Sequence, residues 1–305
     1  MSIAEMNAKY FDTISDSYDE KPWFAVVNRQ VADEFRSNLD WIGIPLANTG
    51  SSPASEVRFL DYACGTGLMT RTLGPYVTKT LGIDVSPNMV ASYKSRAASA
   101  GLPPSTVDAV VGNLFDKEDL QPAHLAGEEW WGFDLAAVGF GFHHFEDVVH
   151  AARQLKERLR PGGVLVINDF LEGADMRAGP NGEKIEGSEG NHAVHHHGHG
   201  KHAHGEHAHG HGKHEHSHDH AHHEGKGAEF PDWSAEQRKE MNDSIVVPHF
   251  SIAGVKQFFT EAGFVDVDVI TMKEQSYMEF GGKKLWRTVL IAKGRRPEVE
   301  SKSEL

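Results

Sequence analysis

The chain has only one cysteine, Cys64, among 305 residues. A single cysteine excludes an intrachain disulfide, and sparing use of cysteine is typical of a reducing compartment. The N-terminal stretch also lacks a basic region followed by an apolar core, so the sequence predicts no secretory signal there. We therefore expect a cytoplasmic protein, with the nucleus as a second location.

Basic residues are scarce as well. Lys and Arg number 30 against 44 Asp and Glu, which gives a net charge of −14. Because nucleic-acid binding needs a basic surface, a nucleic-acid partner is disfavoured. No apolar run approaches the roughly 20 residues of a membrane-spanning helix, so a membrane partner is not expected either. The length suits one large α/β domain or two small ones.

The most informative feature that is present is the segment 60–67, which reads LDYACGTG. An apolar run ends in an acid, Asp61, and small residues follow at alternate positions, Ala63, Gly65 and Gly67. This order predicts a strand, a tight turn and a helix start, as in the nucleotide-type pockets of open α/β sheets. Glycine permits the unusual backbone angles of such a turn and the close approach of a ligand.

Strands and helices alternate after this turn. Apolar runs predict further strands at 78–83, 107–111, 132–138 and 164–168, with helices between most of them. This spacing indicates a parallel sheet with right-handed crossovers. Two last strands, 265–271 and 284–292, have no helix between them, and we expect them to form an antiparallel hairpin at one sheet edge.

A histidine-rich segment interrupts the pattern. Sixteen of the 21 histidines lie between His192 and His223, among Gly, Ala, Glu and Lys. Such a composition buries too little apolar surface to offset chain entropy, so disorder is expected from residue 172 to residue 230. The predicted organisation begins with a helical N-terminal segment at 1–50 and a core at 51–171. The disordered insertion at 172–230 follows, then the C-terminal part of the same domain at 231–295 and a tail at 296–305.

Further motifs follow in a fixed order. Asp84 ends the second strand, Asn113 follows the third, FHHFED occupies 142–147 after the fourth, and LRPGG occupies 159–163 before the fifth. With the turn at 60–67, this series resembles the class I S-adenosylmethionine (SAM) dependent methyltransferases. Ala63 departs from the family's pattern, which has glycine there. The resemblance implies an α/β fold with a Rossmann-like seven-stranded, mostly parallel sheet, an antiparallel edge hairpin and helices on both faces.

The same resemblance implies that SAM is the cofactor and assigns residues to it. The Asp84 carboxylate offers two acceptor oxygens for both ribose hydroxyls. Val85 resembles the residue that packs on adenine, and Asn113 with the Leu114 amide resembles the pair that reads the adenine edge. The N-terminal segment resembles a lid over SAM. The predicted cofactor-binding residues are Tyr18, Asp61, Ala63, Gly65, Gly67, Asp84, Val85, Asn113 and Leu114.

Two adjacent histidines, His143 and His144, are the catalytic candidates. They follow the fourth strand, where the acceptor is expected. Imidazole titrates near neutral pH, so either histidine suits the role of a base. The alternative is a structural role. His249 is a weaker candidate. The expected activity is methyl transfer to an O, N or S atom of a small molecule. The alternatives are a protein methyltransferase acting within a regulatory complex, or a metal-binding protein on a methyltransferase scaffold.

Metal binding is a separate expectation. The strand ends lack the paired acids of a catalytic Mg²⁺ site, so no metal is predicted in the core. The H-x-H spacings of the insertion instead suit exchangeable binding of Zn²⁺, Ni²⁺ or Cu²⁺, and a tolerated low-complexity expansion explains them equally well. The candidate ligands are His195, His197, His199, His216, His218 and His220.

Overall fold

The structure is a computed structural model that describes residues 1–49, 56–193, 235–280 and 282–298. Its strands are β1 Arg58–Tyr62, β2 Lys79–Asp84, β3 Val107–Val111, β4 Phe133–Gly139, β5 Leu159–Phe170, β6 Met176–Arg177, β7 Val265–Thr271, β8 Ser276–Phe280, β9 Lys283–Arg287 and β10 Val289–Arg295. Its helices are α1 Ile3–Ile14, α2 Pro22–Ser37, α3 Leu39–Ile42, α4 Leu68–Leu73, α5 Pro87–Ser99, α6 Val148–Arg158, α7 Ala235–Ser244 and α8 Ile252–Glu261. In this part of the chain no helix is both long and apolar enough to cross a bilayer.

The main sheet has seven strands in the order β3-β2-β1-β4-β5-β10-β7. The pairs among β1 to β5 are parallel, whereas β10 runs antiparallel to both of its neighbours, β5 and β7. The predicted seven-stranded, mostly parallel sheet with an antiparallel edge is therefore confirmed. From β1 the chain proceeds to one side through β2 and β3, and it then returns to place β4 on the other side of β1. At such a reversal of strand order the carboxyl ends of the neighbouring strands surround a crevice, here formed by β1, β2 and β4.

Helices cover both faces of the sheet, as the sequence predicts. Along β1, Leu60 belongs to a core that includes α6 and α8, whereas its neighbour Phe59 belongs to a second core that includes α2. This alternation follows from the two-residue period of a strand. The start of α5 is capped by Ser86, whose hydroxyl accepts a hydrogen bond from the Met89 amide at 3.1 Å.

The predicted strand at 284–292 is wrong in one respect. It is two strands, β9 and β10, separated at Thr288. β9 pairs with β8 and β6 in a small three-stranded sheet, and β10 pairs with β5 in the main sheet. Only Arg287 and Thr288 interrupt the apolar residues of the two strands, and so short a break does not reveal that the pairing partner changes.

Residues 172–193 differ from the disorder predicted to begin at 172. They contain β6, which pairs with β9, and the Asp175 and Gly190 backbones exchange two hydrogen bonds. This segment is held by backbone pairing and by the buried Asp175 carboxylate, neither of which produces an apolar period. The histidine-rich residues 194–234 lie outside the described residues.

Candidate active site

The turn after β1 adopts left-handed backbone angles at the three alternate small residues. The φ angle is +52° at Ala63, +49° at Gly65 and +94° at Gly67. A Cβ on Gly65 would meet nothing within 4 Å, so this position faces open space. A Cβ on Gly67 would lie 3.1 Å from the Tyr93 ring, so that glycine serves internal packing. The two glycines therefore have different functions in one turn.

Asp61 lies beneath the turn. Its Oδ2 accepts hydrogen bonds from the amide of Thr70, at 2.9 Å, and from the Thr70 hydroxyl, at 2.6 Å. Burial raises the pKa of this carboxyl to about 7, although both Thr70 bonds oppose the change. Asp61 thus fixes the first turn of α4, and it is not among the residues that line the neighbouring cavity. In this position Asp61 holds the turn in place, and the direct contact with SAM that the resemblance implies stays a prediction.

Asp84 connects the end of β2 to the turn. Its Oδ2 accepts a hydrogen bond from the Gly65 amide at 2.8 Å, and its Oδ1 accepts one from the Ser86 amide at 2.9 Å. The carboxyl is buried yet lines the cavity, and burial raises its pKa to about 6. A carboxylate offers about four lone-pair positions, so the two amides leave capacity for two further donors.

We call the space beside this carboxyl the donor cavity, with a volume of about 80 Å³. It borders an outer cavity of about 480 Å³. Six of the nine predicted cofactor residues line one or both of these cavities: Tyr18, Ala63, Gly65, Asp84, Val85 and Asn113.

The two predicted cofactor residues after β3, Asn113 and Leu114, lie in different surroundings. Asn113 lines the outer cavity, and its Oδ1 accepts a hydrogen bond from the Phe115 amide at 2.9 Å. The Leu114 amide, in contrast, donates to the Tyr62 hydroxyl at 3.1 Å, and the Leu114 side chain is buried in the core. The Leu114 amide thus already has an internal partner in Tyr62, and its contact with a ligand stays a prediction.

His143 lies in a short 3₁₀ turn after β4 and is held by a carboxylate. Its Nδ1 is 2.9 Å from Asp169 Oδ1, and its backbone amide donates to Asp169 Oδ2 at 3.1 Å. Asp169 lies in β5 and is fully buried. An ionised carboxylate only accepts hydrogen bonds, so Nδ1 carries the proton and Nε2 is the basic nitrogen of the neutral ring.

His144 has a different partner. Its Nδ1 donates to the Ser244 carbonyl oxygen at 2.8 Å. Burial and the neighbouring His143 lower the pKa of His144 well below its ordinary value, so this imidazole is neutral at pH 7. Asn7 of α1 donates to the His144 carbonyl at 3.2 Å. His144 therefore joins the turn to α1 and to the end of α7.

A second, largely apolar cavity of about 130 Å³ adjoins the histidines, and we call it the acceptor cavity. Most of its wall is aromatic or aliphatic, from α1, α2 and the ends of β4 and β5. Among the described residues, the histidine and charged side chains on its wall are His143, His144, Lys21 and Arg287. Burial lowers the pKa of Lys21 to about 8.

A buried charge cluster supports the wall of this cavity. Asp175 Oδ1 accepts a hydrogen bond from Arg287 Nε at 2.9 Å, and Asp175 Oδ2 is 2.7 Å from His249 Nε2. The Arg287 guanidinium carbon lies 3.5 Å from the centre of the Phe170 ring. His249 is thus engaged by Asp175 and is absent from the cavity wall, so the structure does not support its candidacy as a base.

No motif in the sequence predicts the places of Asp169, Asp175 and Arg287 in this site. Asp169 offers one signal in the sequence, because it directly follows the predicted strand 164–168. Within the described residues no group of three or more His, Cys, Asp or Glu side chains is arranged to hold a metal ion. The six candidate metal histidines, from His195 to His220, lie outside the described residues.

The known proteins that are similar to this chain are methyltransferases or related transferases. Residues 60–165 match a family model described as a methyltransferase domain. An uncharacterized methyltransferase of Schizosaccharomyces pombe is 32% identical over 121 residues, which cover 40% of this chain and 41% of that protein. A demethylmenaquinone methyltransferase of Bacillus cytotoxicus is 28% identical over 159 residues, 51% of this chain and 58% of that protein.

A tRNA U34 carboxymethyltransferase of Shewanella frigidimarina is also similar, with 29% identity over 164 residues, 52% of this chain and 45% of that protein. The chain thus spans about half the length of the curated relatives it matches. Among solved structures, the DhpI-SAH complex covers 97% of this chain and 98% of its own, with a TM-score of 0.50 and 16% identity. At that identity, the likeness shows a shared fold.

Proposed function

This chain carries a class I SAM-dependent methyltransferase domain, and on that premise we propose that it transfers a methyl group from SAM to a small-molecule acceptor. The observation that carries the proposal is the contact between the two cavities. The donor and acceptor cavities share Phe11, Tyr18, Phe24, Phe140 and His144. Methyl transfer requires a donor methyl and an acceptor atom held in line at about 3 Å, which two cavities with a common wall provide.

The residues of the donor and outer cavities fit SAM chemically. Asp84 has capacity for two hydroxyl donors, as a ribose requires. The open space over Gly65 leaves room for a ligand against the main chain. Val85 offers an apolar surface for adenine, and the Asn113 amide nitrogen carries the donors that a ring nitrogen of adenine accepts. Bound SAM supplies an electrophilic methyl group on a sulfonium.

The shared wall suits the charge of the donor. Phe11 and Tyr18 lie edge to face, with ring centres 6.2 Å apart, and both belong to the segment predicted to cover SAM. Aromatic rings attract a cation through their quadrupole, at about 0.5–2 kcal/mol for each close contact. These rings also exclude water, which favours transfer to the acceptor over side reactions.

A small-molecule acceptor is favoured over a macromolecule. The wall of the acceptor cavity is mainly apolar, which is typical of small-molecule sites. The net charge of −14 disfavours tRNA, the substrate named for one relative, whereas a menaquinone precursor, named for another, is a small apolar molecule. The protein-acceptor and metal-binding alternatives stay predictions.

Labelled SAM tests the proposal. The purified full chain is first titrated with SAM by calorimetry, and saturable binding is expected. It is then incubated with methyl-labelled SAM and a cell extract that has been separated into low-mass, protein and nucleic-acid fractions. We expect label in the low-mass fraction, and none there with Asp84→Ala. Label confined to protein or RNA, or no SAM binding at all, contradicts the proposal.

A further inference from the structure

The Asp169–His143 pair gives the acceptor cavity a base of defined orientation. Asp169 is fully buried and contacts both the ring Nδ1 and the backbone amide of His143, so it fixes ring and backbone together. Among the described residues no hydrogen bond uses His143 Nε2, and His143 lines the cavity. A carboxylate behind an imidazole stabilises the imidazolium formed when Nε2 takes a proton.

Charges around the cavity favour an acceptor that becomes anionic. Its charged wall residues are Lys21 and Arg287, both cationic, and no acid among the described residues lines it. Asp175 balances Arg287, and Asp169 lies behind His143. A cationic amine would find no anion on this wall, whereas an oxygen that loses its proton gains favourable electrostatics from it.

The shape of the wall favours a flat ring. Phe140 and Phe170 are stacked, with ring centres 5.0 Å apart and planes 24° from parallel. The Arg287 guanidinium, which is bound to Asp175, packs on the Phe170 ring and keeps it in position. Flat apolar rings pack against such surfaces in offset or edge-to-face arrangements, at about 0.5–1.5 kcal/mol per aromatic pair beyond burial.

We propose that the acceptor is a flat apolar compound with an ionisable ring hydroxyl, a phenol or enol, and that Asp169 positions His143 to remove the hydroxyl proton. This inference rests on the proposed function. The acceptor O–H bond breaks and its proton goes to His143 Nε2. A bond forms between that oxygen and the methyl carbon, the carbon–sulfur bond breaks, and its electron pair goes to sulfur, leaving neutral S-adenosylhomocysteine. The imidazolium then returns its proton to solvent.

Acceptors of matched shape test the substrate class. The full chain is assayed with labelled SAM and 4-methylphenol, 4-methylaniline or 4-methylcyclohexanol. We expect methyl transfer to the phenol at a rate at least about tenfold above the other two, because only the phenol combines a flat ring with a hydroxyl acidic enough for an imidazole base. Equal or faster transfer to the amine or the alcohol overturns the inference.

Two phenols of different acidity test the positioning role of Asp169. The hydroxyl of 4-nitrophenol is already ionised in mildly alkaline buffer, so it needs no base. We expect His143→Gln to lower kcat for 4-methylphenol by about 10²-fold or more, and Asp169→Asn by about tenfold or more, with much smaller losses for 4-nitrophenol. Equal losses for both phenols indicate a merely structural role and overturn this assignment.

The failure of the inference is distinguishable from failure of the proposed function. Asp169→Asn should leave SAM affinity by calorimetry unchanged, since Asp169 lines neither the donor nor the outer cavity. The labelled low-mass product from the extract should be an aryl or enol ether. An N-methyl or S-methyl product, or no turnover of any phenol, overturns the acceptor class alone. Absence of SAM binding by the unmodified protein overturns both.

Discussion

The Asp84 carboxylate accepts a hydrogen bond from the Gly65 amide at 2.8 Å, which joins the end of β2 to the glycine turn after β1. The same carboxylate accepts from the Ser86 amide on its own side. One side chain therefore sets the spacing of two strand-end loops while facing the donor cavity. A change at Asp84 is expected to affect both loop geometry and ligand affinity.

Replacement of Asp84 should weaken SAM binding. Asp84→Asn removes the charge and one acceptor oxygen, and we expect a loss of about 1.5–3 kcal/mol, the range for hydrogen bonds to charged groups. Calorimetric titration measures the loss. The control is the same substitution at Asp108 of β3, which pairs with Lys94 of α5 and lines neither cavity. It should leave the affinity unchanged. Unaltered SAM affinity in Asp84→Asn would remove Asp84 from the donor site.

The pH dependence of SAM binding should follow the same carboxyl. Burial raises the pKa of Asp84 to about 6, so the group gains a proton as the pH falls through 6. The protonated form accepts fewer hydrogen bonds, so the Kd of SAM should rise progressively below about pH 6. Titrations from pH 5 to 8 measure it, and Asp84→Asn should give a flatter profile. An identical profile in the variant assigns the dependence to another group.

The two turn glycines should respond differently to alanine. Both have positive φ, so each substitution carries a backbone strain of about 1–2 kcal/mol. In Gly65→Ala the new methyl enters open space beside the donor cavity, so SAM affinity should fall. The free energy of unfolding should decrease only by the backbone strain. In Gly67→Ala the methyl meets the Tyr93 ring, so the loss of stability should be larger. Thermal unfolding and calorimetry separate the two, and the reverse order contradicts the division of functions.

Asp61 should make stability depend on pH. Its folded-state pKa, raised to about 7, exceeds the ordinary value, so the folded state holds the proton more tightly than the unfolded chain. The free energy of unfolding should therefore decrease as pH rises from about 4 to 7, by a few kcal/mol at most. Asp61→Asn keeps an acceptor for Thr70 without the charge, so it should lose less stability across this window. Denaturant unfolding at pH 5 and 8 measures the difference, and parallel losses in both proteins would disprove it.

The buried cluster at Asp175 should contribute strongly to stability. Asp175→Ala leaves Arg287 without its carboxylate in a site where both side chains are nearly inaccessible, at a cost of about 3–5 kcal/mol. The control is Asp33→Ala, which breaks an exposed pair with Arg36 and should cost less than about 1 kcal/mol. Urea unfolding compares them. Similar small losses in both variants would show that the cluster does not hold the segment 172–193 in place.

Local sequence carried the prediction of the donor side. The strand, turn and helix start at 60–67 follow from alternate small residues, and Asp84, Val85 and Asn113 follow strands whose carboxyl ends meet at one sheet edge. Two of the predicted ligand contacts depend on partners that are distant in the sequence or follow a different element. Whether Asp61 and the Leu114 amide face a ligand depends on Thr70 and Tyr62, which compete for the same polar groups.

The sequence by itself determined the parallel strands of the main sheet, the turn and the resemblance to a methyltransferase domain, because apolar periods and glycine positions act over a few residues. Only the tertiary structure decided the two histidines. His143 meets Asp169 across 26 residues and His144 meets Ser244 across 100, so their roles depend on which strand and helix ends are brought together. The wall of the acceptor cavity likewise joins α1 to β9, because burial and pairing act between segments that no local pattern connects.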